Sequence, residues 1–303
     1  MRKKAFISKN SKRRADVSWA FVMIAPTVIG LAVLDLWPIL RTVMLSFQKD
    51  KGFGNYSFVW LDNYKRMLED PAVWRALLNT AIYTVLVVGV GVCLSLVLAV
   101  LLDKNIKGVG VFRTLYFLPM MAAPAAVALA WSWIFNADYG VLNSFLGIFG
   151  IEPVAWFQNK ATIIPSLAVV TIWSEIGYNA VIILSGLQSV DKRYYEAAVL
   201  DGAGPVKCFF KITLPMVSPT LFFVITTRVI FTLKQFDFSY MMINSYNPIR
   251  EFGQTIMHYY YSTAFVSDIK GYASAIVVLT LVLVLIVTGI QNKLEDKWVN
   301  YDA

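Results

Sequence analysis

The chain has little of what soluble enzymes and metalloproteins depend on. Only 15% of its 303 residues are charged, whereas soluble domains carry about 25%. It contains two cysteines and one histidine, which excludes a disulfide framework, a clustered metal site and most histidine-based acid–base chemistry within this chain. No nucleophile–base constellation is visible either. We therefore predict no catalytic residue and no metal site.

Hydrophobic residues are abundant instead, at 58% of the sequence with a mean hydropathy of +0.61. Apolar runs long enough to cross a bilayer, about 20 residues, recur along the chain. They predict an all-α polytopic membrane protein with about six transmembrane helices, near residues 19–40, 79–102, 113–135, 162–187, 217–236 and 273–291. The first run is too long for the apolar core of a signal peptide and lacks a small-residue cleavage site, so we expect an uncleaved span.

The distribution of Lys and Arg predicts the orientation. Seven of them fall in the first 14 residues, and an inside N-terminus places 16 on the cytoplasmic side against nine outside. Both termini are therefore expected in the cytoplasm. The net charge of +8 is explained by this topology signal, and no nucleic-acid partner is expected. The predicted organisation is a basic cytoplasmic tail (1–18), a transmembrane domain (19–291) and a cytoplasmic C-terminal tail (292–303).

A polar insert at about 190–215 separates the fourth and fifth spans and should lie in the cytoplasm. Asp191 can cap a helix that starts at Lys192, and Gly202 or Gly204 can end it in a left-handed turn before Pro205. On the outer side, residues 61–78 have the apolar spacing of a helix lying flat at the membrane interface. Residues 259–261 are three tyrosines expected in an aromatic belt at the outer surface.

The insert reads Glu196-Ala197-Ala198, then Gly202, then Ile212, Leu214 and Pro215. This pattern resembles the cytoplasmic coupling loop of bacterial ABC-importer permeases, which docks on an ATPase subunit. An ordinary amphipathic loop helix is the alternative interpretation. The resemblance implies these residues for ATPase coupling: Glu196, Ala197, Ala198, Asp201, Gly202, Ile212, Leu214 and Pro215. No G-x-x-x-x-G-K-[ST] motif is present, so ATP should be bound by the partner subunit and this chain should hold no cofactor.

Further motifs are similar to the carbohydrate-importing, maltose-type branch of that family. They include Phe117-Leu118-Pro119, Trp131 to Asn136 and Tyr139-Gly140-Val141-Leu142-Asn143. The resemblance implies the type I ABC-importer permease architecture in the bacterial cytoplasmic membrane, working by alternating access. It also implies the partners: a second related permease, an ATPase dimer, an extracellular solute-binding protein, membrane lipid and a sugar or oligosaccharide substrate.

Polar side chains inside the fourth and fifth spans predict the substrate path, because ionisable groups at bilayer depth are costly and face the bundle interior or a watery cavity. The candidates are Trp173, Glu175, Tyr178, Asn179, Arg228, Thr232, Gln235 and Asp237. In the maltose-type permease the matching parts of these spans line the sugar site, which implies Tyr178 and Asn179, and with looser register Thr232 and Gln235. Glu175 and Arg228 could instead form an ion pair that only fixes helix packing.

One other substrate and two other function classes are weighed against a sugar importer. Arg228 and Lys234 would suit glycerol-3-phosphate or another anionic solute. The acidic Glu175 and Asp237 would offset those positive charges. A stand-alone transporter driven by an ion gradient is disfavoured by six spans without an inverted repeat or an obvious pair of broken helices. A membrane enzyme lacks any visible catalytic constellation.

Overall fold

The computed structural model describes residues 9–52, 55–104 and 108–299, and most of these residues are helical. Residues 1–8 of the predicted N-terminal tail and 300–303 of the C-terminal one lie outside the described residues. The first helix already begins at Lys9, so residues 9–18 continue directly into the first span. The helices are α1 (Lys9–Leu31), α2 (Trp37–Ser46), α3 (Asp62–Glu69), α4 (Pro71–Leu102), α5 (Val109–Met121), α6 (Pro124–Ile134), α7 (Val141–Gly147), α8 (Ile163–Ser189), α9 (Lys192–Leu200), α10 (Pro205–Cys208), α11 (Leu214–Met216), α12 (Ser218–Leu233), α13 (Asp237–Met242), α14 (Ile256–Tyr261) and α15 (Lys270–Trp298).

Short irregular segments complete the described fold. Two one-turn π-helical segments join α1 to α2 (Ala32–Leu36) and α10 to α11 (Phe209–Thr213). A third follows α14 (Ser262–Val266). Strands β1 (Gln48–Asp50) and β2 (Tyr56–Phe58) form an antiparallel hairpin between α2 and α3, with Gln48 opposite Phe58.

Among the residues that the structure describes, four helical stretches are long and apolar enough to cross a membrane: Trp19–Ser46, Pro71–Leu102, Ile163–Ser189 and Lys270–Glu295. Two bent pairs, α5 with α6 and α10–α11 with α12, bring the number to six if each pair counts as one span. The prediction of an all-α membrane protein with about six spans is thereby confirmed. The predicted cytoplasmic position of the termini stays a prediction.

The third span differs from its prediction as one helix over 113–135. The chain bends by 99° between α5 and α6. Ala122 and Ala123 are extended, and Pro124 occupies the first turn of α6. A residue that precedes proline avoids the helical region, so Ala123 cannot continue the helix that ends at Met121, and Pro124 starts a new one.

The expected flat helix over 61–78 is also wrong in its second half. Only α3 is a separate short helix, and Pro71 already starts the long α4. The Asp70 side chain caps α4 by accepting a hydrogen bond from the Ala72 N–H at 2.9 Å. Pro at the first helical position after an Asp cap is a strong start signal, and it directs the chain away from the interface into the bundle.

The core lies where α8 crosses α4, α5 and α12. One buried apolar cluster joins α4, α8 and α12 and includes Ala99, Ile183 and Val224, each fully buried. A second joins α4, α6, α8 and α13 around Tyr83 and Leu167. Helix α8 is therefore the central element, and the side chains along it are fixed by contacts on several sides.

Three polar side chains lock the start of α4 to the helices near the C-terminus. The Asp70 Oδ2 accepts hydrogen bonds from the hydroxyl groups of Tyr259 (2.7 Å) and Tyr272 (2.6 Å). Burial opposes the ionised form, but these two hydrogen bonds, the Ala72 N–H and the nearby Arg66 lower the pKa of Asp70. Burial and the Asp70 carboxylate raise the pKa of Tyr259 to about 12. Tyr259 thus serves a structural contact, in place of the expected surface belt.

Gly177 permits the closest helix crossing at the core. A Cβ at this position would overlap the Tyr116 carbonyl of α5. We predict that Gly177→Ala separates α5 from α8 and lowers the free energy of unfolding by about 1–3 kcal/mol, the usual cost of overpacking. The measurement is the melting temperature of the detergent-solubilised chain.

Gly89→Ala is the matched control, because Gly89 also lies in a spanning helix but has open space around its Cβ position. Its melting temperature should stay equal or rise slightly, since alanine favours helix. Equal melting temperatures for the Gly177 and Gly89 variants would contradict the close crossing.

Candidate coupling and translocation sites

The polar insert folds as its residues predict. Helix α9 begins at Lys192 with Asp191 as its cap, whose carboxylate accepts from the Arg193 N–H at 2.9 Å. Hydrogen bonds from the Arg193 side chain and N–H lower the pKa of Asp191. The helix ends at Leu200, and Gly202 follows with a φ of +75°. The capping and the left-handed turn are confirmed, with Gly202 rather than Gly204 in the left-handed region.

This loop exposes apolar side chains. Leu200 is 88% exposed, and Val199, Val206 and Phe210 are exposed beside it. Of the residues predicted for coupling, Glu196, Ala197, Asp201 and Gly202 are exposed, while Ala198, Ile212, Leu214 and Pro215 are half-buried. The exposed members of the set therefore lie on and directly after α9, and the half-buried Ile212, Leu214 and Pro215 lie in the segment that leads into α12.

A hydrogen bond fixes α9 against the chain that leads to α12. The Tyr195 hydroxyl lies 3.0 Å from Thr213 Oγ1, and Thr213 is buried. The hydrogen bond therefore joins the two halves of the insert, while Val199 and Leu200 at the end of α9 stay exposed.

An ion pair joins α8 and α12 in the interior. Arg228 Nη1 lies 2.6 Å from Glu175 Oε2, and the arginine is only 4% exposed. The guanidinium carbon also lies 5.6 Å from the centre of the Tyr178 ring and 4.9 Å from that of Phe231, within the range of cation–π attraction. The Arg228 side chain is thus held by one carboxylate and two aromatic faces.

The same place contains polar atoms that the described residues leave without a hydrogen-bond partner. Two of them are Arg228 Nε and Asn179 Oδ1. The third, Glu175 Oε2, belongs to the ion pair with Arg228 but lies outside hydrogen-bond geometry. Buried polar groups are nearly always hydrogen-bonded to protein or water. Glu175 and Asn179 are one helical turn apart on α8 and share a face. This face of α8 therefore offers hydrogen-bonding capacity to water or to a polar solute.

Three of the remaining predicted path residues follow Arg228 along the chain. Thr232, which is buried, lies one turn after Arg228 on α12, and its hydroxyl donates to the Arg228 carbonyl at 2.9 Å. Gln235 is half-buried and Asp237 exposed just beyond the end of that helix. These residues continue from the ion pair toward the start of α13.

Trp173 lies elsewhere. It is two residues before Glu175, a rotation of about 200° around the helix, and it packs edge-on against Trp131 with ring centres 5.5 Å apart. Together with Tyr116 and Ile176 it lines an apolar groove between α5, α6 and α8. The structure does not bring Trp173 together with the ion pair.

The sequence did not lead us to Phe231, although its spacing of three residues from Arg228 indicates that the two side chains can meet. Residues at i and i+3 share a helix face. Tyr83 was missed as well: its hydroxyl lies 2.5 Å from Thr171 Oγ1 in the core. Nothing local in the sequence indicates that contact, because the two residues belong to different spans.

Breaking the ion pair should be costly. We predict that Glu175→Gln leaves the buried Arg228 uncompensated and destabilises the chain by about 3–5 kcal/mol. The double variant Glu175→Gln/Arg228→Met removes both charges at similar volume and should regain most of the loss. The measurement is the melting temperature in detergent at neutral pH.

Asp268→Asn is the control for a lost carboxylate. It breaks the exposed pair between Asp268 and Lys270, and exposed pairs contribute only about 0–1 kcal/mol. A Glu175→Gln variant as stable as Asp268→Asn would show that the interior pair is not desolvated.

Known proteins resemble the chain over most of its length. The family model described as "Binding-protein-dependent transport system inner membrane component" matches residues 71–300. The sn-glycerol-3-phosphate transport system permease protein UgpA of Pectobacterium atrosepticum is 31% identical, over 94% of this chain and 96% of that protein. The arabinooligosaccharides transport system permease protein AraP of Bacillus subtilis is 32% identical, over 92% of this chain and 88% of that protein.

The fold has a counterpart in a crystal structure of a bacterial ABC transporter involved in the import of the acidic polysaccharide alginate. The TM-score is 0.85 at 20% identity, over 97% of this chain and all of that one. A match at this identity shows the shared fold. With the family model and two relatives above 30% identity, the chain belongs to the binding-protein-dependent transport system inner membrane component family, as a membrane-spanning permease.

Proposed function

We propose that the chain is the permease subunit of an ATP-driven importer for neutral sugars or oligosaccharides. The observation that supports a neutral substrate is the pairing of Arg228 with Glu175 at 2.6 Å. The guanidinium that would have bound an anion is already neutralised. Asn179 Oδ1 and Arg228 Nε, which have no hydrogen-bond partner among the described residues, suit hydroxyl groups, and the Tyr178 ring suits a sugar ring. AraP, a permease for arabinooligosaccharides, is among the relatives.

The proposed energy source is a separate ATPase dimer that binds the loop around α9. In support, the loop exposes the apolar side chains of Val199, Leu200, Val206 and Phe210 together with the charged Glu196. Exposed apolar side chains of this kind fit a protein partner better than water. ATP would be bound by that partner, and this chain would supply no cofactor site and no catalytic residue.

The other proposed partners follow from the family and from the first span. An extracellular solute-binding protein would deliver the sugar. A second, related permease would cover part of α1 and α2, where no described side chain from Val17 to Leu45 is buried; membrane lipid would cover the rest. Both termini would lie in the cytoplasm.

The proposed mechanism is alternating access. ATP-driven closure of the ATPase dimer would move the α9 loop, and α8 and α12 would tilt from an inward-open to an outward-open arrangement. The ATPase and the binding protein must each bind one arrangement more tightly than the other, because a ligand without differential affinity shifts no equilibrium.

An anionic solute is the second candidate, supported by the resemblance to UgpA, a permease for sn-glycerol-3-phosphate. Lys234 is exposed at the end of α12 and carries a charge that could bind a phosphate. A stand-alone transporter driven by an ion gradient fits poorly with a family of binding-protein-dependent systems.

Transport in proteoliposomes tests the proposal. The chain is reconstituted with a second permease, an ATPase and a solute-binding protein from the same organism, and uptake of labelled arabinotriose, maltotriose and sn-glycerol-3-phosphate is measured with and without internal ATP. We expect ATP-dependent uptake of at least one sugar, unaffected by excess sn-glycerol-3-phosphate. Uptake of sn-glycerol-3-phosphate alone would favour the second candidate, and uptake without the ATPase subunit would contradict both.

The charge-free variant Glu175→Gln/Arg228→Met separates the two roles of the ion pair in the same assay. If the pair only stabilises helix packing, this variant should transport at close to the wild-type rate once it is folded. We expect a folded protein with strongly reduced uptake, because the polar groups would face the sugar.

A further inference from the structure

Four aromatic rings form a continuous group just beyond the end of α12. Phe236 stacks on Tyr240 with ring centres 4.9 Å apart and planes at 20°. Tyr261 lies 4.8 Å from both of them, and Phe265 lies 5.0 Å from Tyr261. These four residues, here called the aromatic platform, come from two stretches that are separate along the chain, 236–240 and 261–265.

A buried polar network holds the platform from behind. His258, 7% exposed, meets the rings of Phe236 and Tyr240 edge-on. Its Nδ1 lies 2.9 Å from the Ser239 hydroxyl, which is fully buried and 2.9 Å from the Gly253 carbonyl oxygen. Burial, with the charge of Arg250, lowers the pKa of His258 to about 4. The imidazole is therefore neutral at physiological pH, and the rings in front of it have a fixed support.

The front of the platform is open. Tyr240 is 40% exposed and Phe265 62% exposed, and the charged side chains of Lys234 and Asp237, which flank Phe236 in the chain, are exposed too. Two exposed charges within two residues of Phe236 make this segment a poor surface for lipid acyl chains, since charges are expensive in hydrocarbon. The surface suits a ligand that is apolar on one face and polar at its edge.

A pyranose or furanose ring has that character. Its C–H face packs on an aromatic ring, and its hydroxyl groups hydrogen-bond to a carboxylate or an ammonium group at the edge. The platform also follows Thr232 and Gln235 directly along the chain, so a ring leaving it would next meet the residues of the proposed path.

We propose that the aromatic platform is a second sugar-binding site, which takes a cyclic sugar unit at one end of the path before or after it passes the Arg228–Glu175 pair. Phe236 and Tyr240 supply the stacking face, and Asp237 and Lys234 bind hydroxyl groups. This proposal rests on the proposed carbohydrate function. It predicts that cyclic sugars bind here and that sn-glycerol-3-phosphate, which has no ring, does not.

Binding is measured apart from transport. The full chain, in lipid nanodiscs with the subunits that copurify with it but without a binding protein, is examined by saturation-transfer difference NMR. Arabinotriose and maltotriose are the probes, and sn-glycerol-3-phosphate is the acyclic comparison. We expect transfer to the ring protons of at least one sugar and none to sn-glycerol-3-phosphate.

Variants locate the site. Tyr240→Phe keeps the ring and should keep the signal, whereas Tyr240→Ala should weaken sugar binding by about ten-fold, the upper range for one aromatic contact. Tyr240→Leu keeps apolar volume against His258 and should lower the signal to the level that the Arg228–Glu175 part of the path contributes, while the melting temperature stays near wild type. Tyr246→Ala is the control, because Tyr246 is 94% exposed and outside the platform.

The outcomes separate this proposal from the proposed function. ATP-driven sugar uptake by the wild type, together with a full NMR signal in Tyr240→Leu, would overturn the platform and leave the importer intact. A signal that depends on the Tyr240 ring in a protein that imports no sugar would support the platform and contradict the importer. A wild-type chain without any sugar signal would overturn the platform.

Discussion

The arrangement of the bundle depends on the cost of placing charge inside a membrane protein. Arg228 cannot remain alone at a position that is 4% exposed, since an unpaired charge there would cost several kcal/mol. Its pairing with Glu175 fixes the register of α12 against α8, and the rings of Tyr178 and Phe231 fix the position of the guanidinium. The pair also determines the chemistry of the interior, which is polar yet close to neutral.

The same two helices are tied together near the α9 loop. Gly186 of α8 lies so close to Thr220 of α12 that a side chain on the glycine would overlap the threonine hydroxyl. The loop leaves α8 at Ser189 and re-enters α12 at Ser218, with the Tyr195–Thr213 contact inside it. In the proposed importer, a movement of the loop would therefore displace α8 and α12 directly. These are the two helices that hold the ion pair.

Local signals explain what the sequence predicts correctly. Apolar runs indicate the spans, and an Asp cap with a left-handed glycine defines the ends of α9, because these features depend on neighbouring residues only. The bend at Ala122 was missed because a proline can either kink a span or start a new helix. Trp173 was grouped with Glu175 because the two are close in sequence. Residues two positions apart, however, point to nearly opposite sides of a helix. Tyr261 joins Phe236 and Tyr240 through packing between distant segments, which no local pattern encodes.

If a separate ATPase drives transport through the α9 loop, the shape of this loop must matter for uptake. Variants of its two glycines test this requirement. Gly202 has a φ of +75°, whereas Gly204 has a φ of −73° and open space around it. Valine is strained by about 1–2 kcal/mol only in the left-handed region, so Gly202→Val should distort the loop and Gly204→Val should not. ATP-driven uptake in proteoliposomes is measured for both variants at equal membrane insertion. The account predicts a severe loss for Gly202→Val with nearly normal uptake for Gly204→Val, and equal, undiminished uptake in both would contradict it.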